Sequence, residues 1–221
     1  VTQYFDSHNT SAAVIGFDHL QSEDSAINDA IGKYENFLKT TAEKMKNAGS
    51  PYGYVSMGST IVCTAEAYCA VGGMSRKKAT EDFYFLQELT KYCGVHNIPE
   101  TLVFPSPRPI SRVYLGTGYR MEQIQKGFDI TNLYYSDDAY RYLSKWLQLG
   151  GHAWENSLND LLKDIKSIHP NLIGFLKIEG IETIWSKIQN NAPSKSHFTE
   201  QFHRWFDGLK TIRFLKRFSS P

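Results

Sequence analysis

Residues 57–94 read MGSTIVCTAEAYCAVGGMSRKKATEDFYFLQELTKYCG, and glycines punctuate the stretch into short elements. The β-branched run in GSTIVC (Gly58 to Cys63) predicts a short strand. TAEAYCAV, stopped by Gly72-Gly73, predicts a brief helix, and a second helix opens at Thr80 and runs to about Tyr92, with Gly94 as its end. Strand and helix alternate here, which is the pattern of an α/β domain. Glu81 and Asp82 stand at the start of the second helix, directly before the apolar block FYFL. Two readings fit that placement. Unpaired backbone N–H groups in a first helical turn favour negative charge by about 0.3–1 kcal/mol. A carboxylate fixed there also suits a general base, ionised at neutral pH and ready to take a proton from a hydroxyl. The dipeptide is compatible with both.

The same alternation extends outward. AAVIGFDH (Ala12 to His19) reads as a short buried strand, and from Ser25 the apolar residues Ile27, Ile31, Tyr34, Leu38, Ala42 and Met45 recur at helical steps, with Ser25 as the N-cap and Gly49 as the stop. ETLVF (Glu100 to Phe104) predicts another strand, and Pro105, Pro107 and Pro109 end regular pairing after it. The following SPRPISRVYLGTGYRM is expected to be extended or looped, and it carries Arg108, Arg112 and Arg120. From about Asp137 no strand is expected. DDAYRYLSKWLQLG, ENSLNDLLKDIKSIH, NLIGFLKIEGIETIWSKIQ and FTEQFHRWFDGLKTIRFLKRF predict a four-helix tail. The change of character divides the chain into residues 1–130 and a helical region, 131–221.

Composition limits the function classes. With 221 residues, 41% hydrophobic, the chain can bury one sizeable core or a core with a helical appendage. A formal charge of +1 supplies no global basic field, so no nucleic-acid partner is expected. Cys63, Cys69 and Cys93 are an odd set without C-x-x-C spacing, and the seven histidines are scattered. No metal site is assigned, and a reducing, cytoplasmic setting is expected. No apolar run reaches the roughly 20 residues a membrane span needs, and VTQYFDSHNT lacks the layout of a signal peptide.

Taken in order, Gly58-Ser59, the helix ending at Val71-Gly72-Gly73 and the Thr80-Glu81-Asp82 helix start resemble the second half of the catalytic domain of glycosyltransferase family 2, the inverting enzymes of the GT-A fold. FPSPRPISRVYLGTG (Phe104 to Gly118) resembles a stretch that follows in a bacterial subgroup of that family, so the resemblance covers about Ala12 to Met121. It implies a partial GT-A fold with a truncated sheet, followed by an all-α tail. It also implies that Asp82 is the catalytic base on the acceptor hydroxyl, with Glu81 orienting the site or the acceptor. Arg108 and Arg112 would then contact phosphate or acceptor, which suits guanidinium geometry, although surface ion pairing fits two such arginines equally well. Gly58, Ser59, Gly116 and Thr117 complete the implied substrate-binding set; Gly116 and Gly118 allow an unusual turn or a close approach to a ligand.

Family members carry an upstream nucleotide-binding half with an Asp-x-Asp motif for a divalent metal, Mg or Mn. No Asp-x-Asp occurs in residues 1–60, where Asp6, Asp18, Asp24 and Asp29 are isolated. The expectation is an acceptor-side portion, inactive as an isolated chain. Nucleotide sugar and a glycan or other hydroxyl acceptor would be partners of the intact enzyme, and the metal belongs to that parent, with no cofactor in this chain. A sheet lacking its neighbouring strands would expose an edge, so a homo-oligomer is also expected. The competing reading is a non-catalytic scaffold module acting through the helical tail. Trp146, Trp154, Trp185 and Trp205 fit either packed helices or a binding groove there. The final LKTIRFLKRF fits either dipole-complementing charges or contact with a membrane surface. A hydrolase using Glu81 and Asp82 as an acid/base pair is disfavoured, because neighbouring residues at a helix start diverge.

Overall fold

The structure, a computed structural model, describes residues 1–76, 79–107 and 116–219. Arg108 and Arg112 lie outside the described residues. Two compact units make up the chain, Val1–Glu43 with Tyr52–Tyr134, and Lys44–Pro51 with Tyr135–Pro221. The first is mixed α/β and the second is helical.

In the α/β unit, helix α1 (Thr2–His8) precedes strand β1 (Ala12–Phe17), which leads to the long helix α2 (Ser25–Asn47), counted in this unit as far as Glu43, the 3₁₀ turn Gly58–Thr60 and strand β2 (Ile61–Cys63). Helices α3 (Ala65–Ala70) and α4 (Glu81–Cys93), strand β3 (His96–Val103) and helix α5 (Thr117–Gln125) follow. The sheet order is β2-β1-β3, with β1 antiparallel to β2 and parallel to β3. As the central strand, β1 is buried along nearly its whole length, which is why AAVIGF is a continuous apolar run and not an alternating one. Ala13, Ile15 and Ile98 form the core of one cluster, with Tyr4, Phe5, Val62 and Val103 packed on it. On α4, Phe85, Leu86 and Leu89 are buried, each worth about 1.5–3 kcal/mol relative to exposure.

Several local expectations change. The cap of α2 is Asp24, whose Oδ1 accepts from the Ala26 and Ile27 N–H groups; Ser25 is already helical. The first part of GSTIVC is a 3₁₀ turn, which leaves only Ile61–Cys63 in the sheet. Strand β3 starts at His96, before the expected Glu100, and takes Pro99 into an irregularity. Ile15 pairs with Ile98, Gly16 with Thr101 and Phe17 with Val103, so β3 bulges twice. A Cβ on Gly16 would sit 2.7 Å from the carbonyl oxygens of both Pro99 and Glu100, so the bulge can close on β1 only at a glycine. Pro99, Glu100 and the bulges are also features that blunt an open strand edge against self-pairing. Finally, GTGYRM is not all loop, since Thr117 begins α5.

The helical unit contains α6 (Asp137–Gly151), α7 (Leu158–Ile165), α8 (Leu172–Ile178), α9 (Ile181–Asn191), α10 (Lys195–Trp205) and α11 (Gly208–Ser219). Among the described residues six helices therefore replace the expected four. The extra breaks fall at Gly180, held at φ +86°, and at Asp207, whose carboxylate accepts from Lys210 N–H to start α11. The core is aromatic. Trp146 meets Phe202 and Phe206 edge-on at centroid distances of 5.4 and 5.7 Å, and Trp185 meets Phe198 at 5.4 Å. Gly150 makes room for this packing, because a Cβ there would lie 2.5 Å from the Phe202 ring. No helix among the described residues is long and apolar enough to cross a membrane.

Candidate active site

Helix α4 opens on a strained residue. Thr80 has φ +67° and ψ +9°, a left-handed conformation that crowds a β-branched side chain, and its side chain makes no capping bond to the helix. Its hydroxyl donates instead to the Ala79 carbonyl at 2.5 Å. Such strain costs on the order of 1–3 kcal/mol and persists where the surrounding structure imposes it. The residues it positions are Glu81 and Asp82, both half-buried in the first turn of α4.

The Asp82 carboxylate accepts the Phe83 N–H at 2.7 Å, and the Gly58 N–H also bonds to it. Burial nevertheless pushes the Asp82 carboxyl above its ordinary value, and the neighbouring Glu81 charge pushes the same way; the N–H groups of Phe83, Asp82 and Gly58 only moderate the rise. Desolvation thus outweighs the helix start, and the carboxylate holds a proton more firmly than a surface aspartate does. One further group lies in its field, and a second acts on that group. Tyr34, buried on α2, has its phenol raised by burial, lowered by the Arg120 charge and raised by the Asp82 charge. Arg120, in the first turns of α5, has its guanidinium 5.7 Å from the Tyr119 ring centroid and 5.8 Å from that of Phe128. The packing that places them is plain. Met121 is fully buried against Ala30 and Ile31, which seats α5 on the face of α2 that carries Tyr34.

The structure therefore brings Gly58 to Asp82, with Glu81 beside it. Ser59 is exposed, and the buried hydroxyl of this turn belongs to Thr60, which donates to the Met57 carbonyl at 2.8 Å. Gly116 caps α5 at φ +94° and Thr117 begins it; no described bond joins either to Asp82. Tyr34 and Arg120 enter the site without having been singled out for it. Tyr34 had been read as one member of an apolar helical stripe, and a phenol among aliphatic neighbours is the only trace of its role in the sequence. Chemically, a half-buried carboxylate of raised proton affinity, with the Tyr34 phenol in its field, suits proton abstraction. Among the described residues no group of three or more His, Cys, Asp or Glu side chains is arranged to hold a metal ion.

Comparison with protein-family models, with curated proteins and with solved structures returns no match to this chain.

Proposed function

We propose that the α/β unit is the acceptor-side portion of an inverting glycosyltransferase of family 2 type. The observation that carries this reading is Asp82, a carboxylate whose burial raises its proton affinity and which opens α4 behind a strained Thr80. The succession of elements supports it. A turn and strand at Gly58–Cys63, a short helix closing on Gly72-Gly73, a helix opening on Glu81-Asp82 and then a strand follow one another as the resemblance implies.

In the proposed reaction the acceptor oxygen forms a bond to the anomeric carbon while the bond from that carbon to the nucleotide diphosphate breaks, with inversion. The acceptor proton passes to Asp82, and the leaving diphosphate carries away the negative charge. Glu81 keeps the proton affinity of Asp82 high. Arg120 supplies positive charge to the site, and Arg108 and Arg112 are assigned to phosphate or acceptor by the resemblance alone. Mg or Mn would polarise the leaving diphosphate in the intact enzyme, but the described residues provide no ligand set for it. Self-association remains part of the proposal, opposed at β3 by the blunted edge, and light scattering decides it.

Calorimetric titration with uridine, guanosine and thymidine diphosphates, with and without Mn²⁺, tests the assignment to the acceptor side. No binding is expected. Micromolar, metal-dependent binding would overturn that assignment by showing a donor site within these residues.

A further inference from the structure

A groove of about 640 Å³ runs along α2 and the segment Gly127–Tyr134, within the size range of small-molecule sites. Its α2 wall is a stripe of Asp29, Lys33 and Asn36, spaced four and three apart, whereas Tyr34 lies on the buried face of the same helix. Opposite them stand the half-buried rings of Phe128 and Tyr134, with Ile130 beneath. Tyr134 is held in place. Asn36 Nδ2 donates to its hydroxyl at 3.0 Å, and Phe37 packs edge-on against its ring at 5.3 Å. Asn36 Oδ1 and the Tyr134 O–H proton are left for a ligand.

The electrostatics narrow the ligand class. Lys33 is paired with Asp29 at 2.7 Å, and Asp129 adds a second carboxylate that the Thr131 N–H holds at 2.9 Å. Backbone and side-chain bonds from Thr131 hold the Asp129 carboxyl below its ordinary value, so it stays ionised. Asp29 and Asp129 balance Lys33 and the Arg120 guanidinium, which lies 5.8 Å from the Phe128 ring centroid, so the groove carries no net positive charge to draw phosphate or uronate groups. An apolar ring surface beside fixed carboxylate and amide acceptors suits a ligand with one C–H face and a hydroxylated edge.

We propose that this groove binds a neutral or amino-bearing pyranoside, at a place separate from Asp82 and whether or not Asp82 acts as a base. The pyranose C–H face lies on Phe128 and Tyr134, and its hydroxyl groups donate to Asp29 and Asp129. Preorganisation of Tyr134 by Asn36 and Phe37 limits the ordering cost of binding.

The test is saturation-transfer NMR and calorimetry on the whole chain, using gluco-, galacto-, manno- and N-acetylglucosamine tetrasaccharides, with a galacturonic acid tetrasaccharide as the acidic control. At least one neutral probe binds and the acidic one does not. Asp29→Ala and Asn36→Ala, both at exposed positions, each weaken it by about tenfold, the loss expected for one hydrogen bond to a charged or fixed polar group. Asp82→Asn leaves that affinity unchanged. Absence of binding to every neutral probe overturns the proposal, as does preference for the acidic one. Binding that ignores the groove substitutions but falls with Asp82→Asn assigns the sugar to the Asp82 site and also overturns it.

Discussion

In the helical unit Trp146, Trp185, Phe198, Phe202, Phe206 and Phe214 are each less than 2% exposed; Trp146 and Phe214 meet Phe206 edge-on, and Phe202 and Phe206 lie parallel. In the α/β unit the central strand buries small and aliphatic side chains, and the same unit holds the strained Thr80 and the raised carboxylate of Asp82. One region fills its core with packed rings and depresses the proton affinity of a histidine, whereas the other holds backbone strain and a carboxylate of raised proton affinity around a few polar groups. Strain and unfavourable burial persist only when neighbouring contacts over-determine them. The difference is the one expected if the proposed chemistry belongs to the α/β unit.

The largest expected effect tests the packing side. Trp146→Ala removes a fully buried ring wedged among Phe202, Phe206 and Trp205, and should cost about 3–5 kcal/mol in denaturant unfolding monitored by aromatic circular dichroism. A loss under about 1 kcal/mol would remove the contrast between the units.

A second effect comes from a half-buried titratable group in the same unit. Burial, with a smaller contribution from the nearby His152 charge, pushes His203 from 6.5 down to about 4. Its folded-state value is depressed, so protonation favours the unfolded chain. Stability is fully present above pH 6.5 and is lost as pH falls toward 4, by on the order of 3 kcal/mol in all. His203→Leu should flatten the unfolding profile across that window, and an unchanged slope would assign the acid loss to other groups.

Much of this fold was legible in local signals. Gly94 and Gly49 mark helix ends where the structure has them, and the β-rich runs around Val14 and Val62 became paired strands. Misses arose where tertiary contacts decided the outcome. The strand expected from Glu100 begins instead at His96, because β3 absorbs Pro99 in a bulge that Gly16 accommodates. Runs read as single helices split at Glu179-Gly180 and Phe206-Asp207, where a left-handed glycine and a capping aspartate outweigh the helical period. The acidic pair was legible as a helix start. Its environment was not, because Gly58 and Tyr34 come to Asp82, and Arg120 to Tyr34, from distant parts of the chain.

Two smaller effects sharpen the α/β side of the comparison. Thr80→Gly relieves the left-handed strain while loosening the unfolded chain, so the net change should lie within about 1 kcal/mol, with no large loss despite deletion of the side chain. A destabilisation well beyond that would mean that the threonine side chain supports the fold. Asp82 has a raised folded-state value, so the folded state binds the proton more tightly and stability falls as pH rises from the ordinary carboxylate range through the raised value. Asp82→Asn should therefore raise the thermal midpoint at neutral pH, with the gain disappearing in acid. A variant less stable than wild type at pH 7 would mark Asp82 as a structural group.

The most direct test of the account is turnover of nucleotide sugars by the chain expressed with its upstream coding sequence, wild type against Asp82→Asn, with transfer and hydrolysis followed separately. The account predicts that transfer falls by about a hundredfold or more while donor affinity is retained, as loss of a general base requires. Equal transfer rates in the two proteins would contradict it.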